Sequence, residues 1–250
     1  MPFEVLFLDN HLLVVAKPAG LLVQADHTGD DDLLTLGKAY LKARFDKPGN
    51  VFLGLVHRLD RPVSGVLVLA RTSKAASRLS AQFRDRTPTK RYLALVEGHP
   101  GAEAGTRTDY LKKTYAKDRG THVKIVGPDD PAGKQARLRW TLVAAAAKQS
   151  LLDVELLTGR AHQIRVQLAA LGTPIVGDLR YGARYEHDGR NLALHSYALA
   201  FTHPVRREPL RFTTPPPATW TGALAAHALS HVDAWTRDDV MRNDASRESP

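Results

Sequence analysis

A run of five apolar residues, Val66-Leu67-Val68-Leu69-Ala70, constrains this chain more than any other feature. Half-exposed strands alternate polar and apolar residues, whereas an unbroken apolar run of this length marks a strand buried on both faces. Immediately before it stand His57, Arg58, Asp60 and Arg61. Charge at the mouth of a buried strand loses solvation unless something compensates it. A carboxylate in such a place needs a cation to stay ionised at neutral pH. Arginine suits that role, being always charged and able to offer two donors at once. Arg165, on a helix whose apolar face packs on the sheet, can reach Asp60 from far along the chain; a plain structural ion pair is the alternative reading.

The rest of the chain reads as strands mixed with helices. Phe3 to Leu8 and Leu12 to Ala16 form two strands around an Asp9-Asn10 turn. Asp30 to Asp32 precede a helix from Leu33 to about Phe45, where acidic residues suit the positive end of the dipole. Ser73 caps a second helix, with Ala76, Leu79 and Phe83 on one face. Arg91 to Val96 alternates as a strand. Residues 101–133, rich in Gly, Pro and Lys, read as loops and short strands. Ala136 to Leu142 and Leu152 to Leu156 make a hairpin. In TGRAHQIRVQLAALG, Ala161, Ile164, Leu168 and Leu171 share a helical face and Gly172 ends it. Gly172 to Gly182 is a turn-rich loop, and Leu192 to Phe201 is another strand.

Hairpin-like connections favour an α+β fold, with a mixed, largely antiparallel central sheet and flanking helices. No linker divides residues 1–236, so they form one domain. The polar stretch 237–250 reads as a disordered tail.

The chain has no Cys, which excludes disulfides, Cys-ligated metals and thiolate nucleophiles and fits a reducing compartment. Its N-terminus lacks the layout of a signal peptide, and no apolar segment approaches a membrane span. The expectation is a cytoplasmic protein without a membrane partner, a monomer by default. Lys and Arg total 35 against 26 Asp and Glu, and an excess of that size favours a polyanionic partner. The basic residues gather between Lys112 and Arg139 and again at Arg78, Arg84, Arg86, Lys90 and Arg91.

His57-Arg58-Leu59-Asp60 is no kinase loop: Asp60 comes one place too late, Gly65 stands where the metal-binding Asn belongs, and DFG is missing. No P-loop or GxGxxG offers a nucleotide site. Scattered histidines give no clustered metal ligands, so metal-dependent phosphodiester hydrolysis is a weak rival and no cofactor is expected. Hydrogen-bonded scaffold roles suit His57 and His162 better than ligation.

Four stretches then fall into register. GLVHRLDRPVSGVLVLART (residues 54–72) resembles the signature of the RluA-type RNA pseudouridine synthases. KPAGLLV (17–23) is similar to their N-terminal strand–turn, KRYLALVEG (90–98) to their tyrosine-bearing strand, and LLTGRAHQIRVQLAALGTPIVGDLRYG (156–182) to their arginine-bearing motif. The resemblance runs from about Phe3 to Pro215. It implies a central active-site cleft in which Asp60 is the catalytic aspartate, Tyr92 the tyrosine packing against the target base, and Arg165 the partner of the aspartate. Arg58 would contact RNA beside the displaced nucleotide, and Arg61, His162, Lys112 and Lys113 are further RNA-contact candidates. Val63 departs from the threonine often found before SG.

Converting uridine to pseudouridine breaks a C–N bond, turns the base over and forms a C–C bond, with no redox change, phosphate transfer or metal. An ionised carboxylate in a desolvated site can act as nucleophile or base. The uridine must leave its stack, at a few kcal/mol that phosphate contacts can offset. Transfer RNA and ribosomal RNA are both candidate substrates. A noncatalytic RNA-binding protein on the same fold is the second hypothesis. The chain reads as starting at the catalytic domain, without the small N-terminal S4 domain of some relatives.

Overall fold

The chain opens as a hairpin, β1 (Glu4–Leu8) and β2 (Leu12–Lys17). The Asp9 carboxylate closes the turn by accepting from the amides of His11 and Leu12. Helix α1 (Leu33–Arg44) follows, with Asp32 as its cap: the carboxylate accepts from the Thr35 amide at 3.0 Å. This computed structural model describes residues 1–116, 120–189 and 191–245.

Next come β3 (Gly54–Leu55), β4 (Ser64–Ala70) and α2 (Ser73–Asp85). The cap of α2 is Thr72 and not Ser73, because the Thr72 hydroxyl accepts from Ala75 and Ser73 already lies inside the helix. Strand β4 is buried along its whole length. Its two faces sort by parity. Leu67 and Leu69 join a core with Leu13, Val15, Leu33 and Leu41. Val66, Val68 and Ala70 join another with Leu12, Val14, Ala75 and Leu79. Helices α1 and α2 therefore cover opposite faces of β4, as a continuous apolar run requires. Each such side chain contributes about 1.5–3 kcal/mol on burial.

The remaining strands are β5 (Thr89–Glu97), β6 (Ala104–Ala116), β7 (Gly120–Val126), β8 (Lys134–Ala146), β9 (Gln149–Leu156), β10 (Leu194–Thr202) and β11 (Pro209–Thr213). Helix α3 (Gln163–Ala169) and a 3-10 turn (Leu179–Tyr181) stand between β9 and β10, and α4 (Ala223–Ala245) closes the chain. The sheet runs β1-β2-β4-β10-β5-β9-β8-β6-β7, with β11 beside β10 and β3 beside β4. Every pairing between these described strands is antiparallel except β4 with β10. The fold is the mixed, largely antiparallel α+β class that the sequence predicts.

Two expectations are corrected. Residues 104–126 are not loops and short strands but a long hairpin, paired from Tyr110↔Val126 to Ala116↔Gly120. Only Leu111 and Val123 of it are buried among the described residues, so it lacks the apolar alternation that reveals a strand. Helix α4 also continues past Arg237 to Ala245, where a tail is expected; neither Gly nor Pro interrupts that stretch. Residues 246–250 lie outside those described.

The parallel crossing pairs Ser64 with His195 and Gly65 with Ser196. A Cβ on Gly65 would lie 2.2 Å from the Ser196 carbonyl oxygen, and its φ is +125°. Glycine is the residue that fits there. Beside it Ser64 Oγ and His195 Nδ1 are 2.8 Å apart, and His195 Nε2 donates to Thr214 O. His195 must therefore accept from the Ser64 hydroxyl, and burial lowers its pKa to about 4.

Candidate active site

The turn between β3 and β4 carries Asp60 into a cleft of about 1080 Å³. Across it, α3 presents Arg165. One Arg165 Nη donates to Asp60 Oδ2 at 3.2 Å, while Nε and the other Nη grip both oxygens of Asp178 at 2.7 and 2.8 Å. Asp178 is buried and Asp60 is partly open, their side chains 1% and 30% exposed. Burial pulls the Arg165 pKa down, but the Asp178 hydrogen bonds and the charges of Asp178 and Asp60 more than offset it, so the guanidinium stays charged. Two carboxyl groups share one guanidinium, and Asp60 is the one open to the cleft.

His162, the residue before α3, has φ +49°, a left-handed conformation that costs a non-glycine residue. Its Nε2 lies 3.8 Å from Asp60 Oδ2. Burial lowers its pKa to about 4, with Asp60 opposing and Arg165 assisting that shift, so the imidazole is neutral at pH 7.

Lys17, at the end of β2, is near enough to feel the charge of Asp60. Fully buried, it donates to the carbonyls of Pro18, Leu21 and Arg61. Burial lowers its pKa to about 7, against the pull of Asp60. Arg61 in turn donates to Gly20 O and pairs with Asp30 at 2.7 Å, stitching the KPAGLLV turn to the Asp60 loop.

Tyr92 of β5 lines the cleft and is 6% exposed. Burial raises its pKa to about 12, a Ser196 hydrogen bond opposing and Asp60 assisting, so the phenol keeps its proton. Arg58 is exposed at the rim.

The structure thus gathers Asp60, Arg165, Tyr92 and His162, with Arg58, Arg61 and Lys113 along the same cleft. Lys112 does not join them: it alternates to the other side of β6 and pairs with Asp130 at 3.0 Å. His57 is scaffold. Its Nε2 accepts from the Val68 amide, its ring stacks on Phe83, and burial lowers its pKa to about 3.

Asp178, Tyr181, Lys17 and Lys90 are absent from the sequence-based list of site residues. GDLRYG looks like a turn from sequence, and Lys17 ends an ordinary apolar strand. Among the described residues the cleft lining holds nine Lys or Arg against two Asp, a surface suited to a polyanion. Most of that charge comes from Arg84, Arg86, Lys90, Arg160 and Arg180; of the described residues in the Lys112–Arg139 segment, Lys113 is the one cation that lines the cleft. Among the described residues no three His, Asp or Glu side chains gather as a metal site, and no helix is long and apolar enough to cross a membrane.

A partly buried ion-pair centre opening on a basic cleft in a largely antiparallel α+β fold makes a candidate enzyme site with a lining suited to a polyanion. The model of the RNA pseudouridylate synthase family matches residues 11–170. The chain is 33% identical over 222 residues to ribosomal large subunit pseudouridine synthase D of Zymomonas mobilis, covering 85% of this chain and 68% of that one. It is 35% identical over 217 residues to ribosomal large subunit pseudouridine synthase C of Vibrio vulnificus, covering 84% and 65%. It thus spans about two thirds of the length of these relatives. The solved human RNA pseudouridylate synthase domain containing 4 superposes with a TM-score of 0.72 at 25% identity, over 92% of this chain and 93% of that one. The chain belongs to the RNA pseudouridylate synthase family and is an isomerase acting on RNA.

Proposed function

We propose that this enzyme isomerises uridine in large-subunit ribosomal RNA, with Asp60 as its catalytic carboxylate. The single observation that carries the site assignment is the Asp60–Arg165 contact of 3.2 Å at the edge of a cation-lined cleft. Arg165 aims Asp60 through its 3.2 Å hydrogen bond, and Asp178 fixes Arg165. Tyr92, a neutral phenol with a buried ring, packs against the base of an extruded uridine. Arg58 holds RNA beside the vacated position, and Arg61, Lys113 and the other rim cations take the phosphates. Lys112 contributes to the hairpin that carries Lys113. The ribosomal target rests on the relatives' names, among which ribosomal large subunit synthases C and D recur. The enzyme works as a cytoplasmic monomer without a metal or cofactor.

Tritium release from RNA labelled at uridine C5 tests the reaction, with wild type active and Asp60→Asn silent. Mapping pseudouridines across total cellular RNA with and without the enzyme tests the target. Loss confined to transfer RNA would overturn the ribosomal assignment.

A further inference from the structure

Tyr181 does not line the cleft, yet it touches the groups that do. Its ring lies under the Arg165 guanidinium, whose Cζ is 5.1 Å from the ring centroid. It also stacks on His122 of β7, 5.3 Å between centroids and 23° between planes. The phenol oxygen accepts from the Val123 amide at 3.0 Å and sits 2.8 Å from His162 Nδ1.

A phenol has a single proton. The Val123 amide occupies one lone pair of that oxygen, and the proposed arrangement turns the proton to His162 Nδ1 as acceptor. A neutral imidazole accepting at one nitrogen carries its proton on the other. His162 therefore presents Nε2–H toward Asp60, 3.8 Å away. The other tautomer would aim a lone pair at the carboxylate.

The same segment is tied to the hairpin. Strand β7 ends the sheet, so its outward-facing groups have no neighbouring strand. Arg180 donates to Thr121 O, and Tyr181 accepts from Val123. The hairpin also carries Lys113 and Tyr115 into the cleft lining, and Tyr115 is 70% exposed.

We propose that Tyr181 is a positioning residue: it fixes His162 as an Nε2–H donor facing Asp60, holds the plane of Arg165, and joins both to the β6–β7 hairpin that meets the RNA. The inference rests on the reading of Asp60 as the catalytic carboxylate. RNA seated against Lys113 and Tyr115 presses on the strand that holds the Tyr181 phenol, so substrate engagement and alignment of the centre are mechanically linked.

The test is Tyr181→Phe in the full chain, which keeps the ring and its stacking and deletes only the hydroxyl. Two readouts are needed: steady-state kinetics, and nitrogen-15 NMR of histidine-labelled protein to assign the His162 tautomer. The expected result is a kcat lower by about tenfold with KM within twofold, and a His162 imidazole moving from the Nε2–H form to a mixture. Wild-type kcat in the variant, or lost kcat with an unchanged tautomer, overturns the proposal. The unsubstituted protein gives a check that depends on no variant folding: an Nδ1–H imidazole at His162 overturns it directly. An active Asp60→Asn enzyme would instead refute the underlying reading, a result distinguishable because the tautomer is measured independently of turnover.

Discussion

Arg165 meets Asp178 through two hydrogen bonds, 2.7 and 2.8 Å, and spends a single longer one of 3.2 Å on Asp60. The buried carboxylate is the anchor, and the one facing the cleft receives what the guanidinium has left. Arg165 is thus a rigid cation whose orientation is fixed before any substrate arrives.

Asp60→Asn keeps the shape of the side chain and removes its charge. RNA affinity is expected to stay within about twofold, while tritium release falls on the order of 10³-fold or more. Filter binding and the release assay on one protein preparation check both. Substantial residual turnover would sink the assignment.

Arg165→Met strands the Asp178 carboxylate in the interior. Breaking a buried pair from one side costs about 3–5 kcal/mol, so urea denaturation should show a large loss of stability beside the loss of turnover. Adding Asp178→Asn to Arg165→Met should recover much of the stability and none of the activity. A double variant no more stable than Arg165→Met would count against the anchor role of Asp178.

Acid sensitivity follows from His57, His162 and His195, whose pKa values burial lowers to about 3, 4 and 4. In the unfolded chain each titrates near the ordinary 6.5. Below that pH the unfolded state takes up protons that the folded state refuses, so stability falls as pH drops from 6.5 toward 4. Each histidine contributes at most about 1.4 kcal/mol per pH unit. Denaturation curves across this range should show the decline, and His195→Gln should make it shallower by roughly one proton. An identical slope would contradict the assignment of His195 as a buried neutral imidazole.

Gly65→Ala places a methyl group 2.2 Å from the Ser196 carbonyl oxygen in a backbone conformation with φ of +125°. Strand β4 and strand β10 cannot both keep their places. The expected cost is roughly 3 kcal/mol or more, visible as a lowered melting temperature or insoluble protein. Gly101→Ala, with a positive φ but nothing within 4 Å of the added Cβ, should cost less.

RNA binding should weaken steeply with salt, because nine Lys or Arg among the described residues line the cleft. Lys113→Ala should lower the slope of log affinity against log salt by about 0.7–0.9. Lys112→Ala, whose partner is Asp130, should leave the slope nearly unchanged. Equal effects of the two would mean that the hairpin meets RNA with its other face.

The sequence is most legible where apolar burial repeats. Five apolar residues in a row mark β4, and the charge at its mouth singles out Asp60. The Asp60–Arg165 contact was within reach because the two residue types have complementary chemistry. Its geometry was not, since 105 residues separate them. The β6–β7 hairpin escaped because both its faces meet solvent over much of its length, leaving little alternation to read. Asp178 and Tyr181 escaped for another reason. They sit in a turn-rich loop, and a loop residue's role depends on what long-range packing brings beside it. Lys17 looked like the polar end of a strand, and only the three carbonyls around it reveal a buried cation.

The parallel crossing at Ser64 and His195 joins residues 131 positions apart. During synthesis the Asp60 loop emerges well before β10, the strand that seats it. Closing so long a loop is entropically slow, and topologies dominated by distant contacts fold late. A nascent chain halted before residue 194 would hold Asp60, Tyr92 and Arg165 and still lack the wall that brings them together. The cleft is therefore complete only once β10 has been made and has paired with β4 and β5.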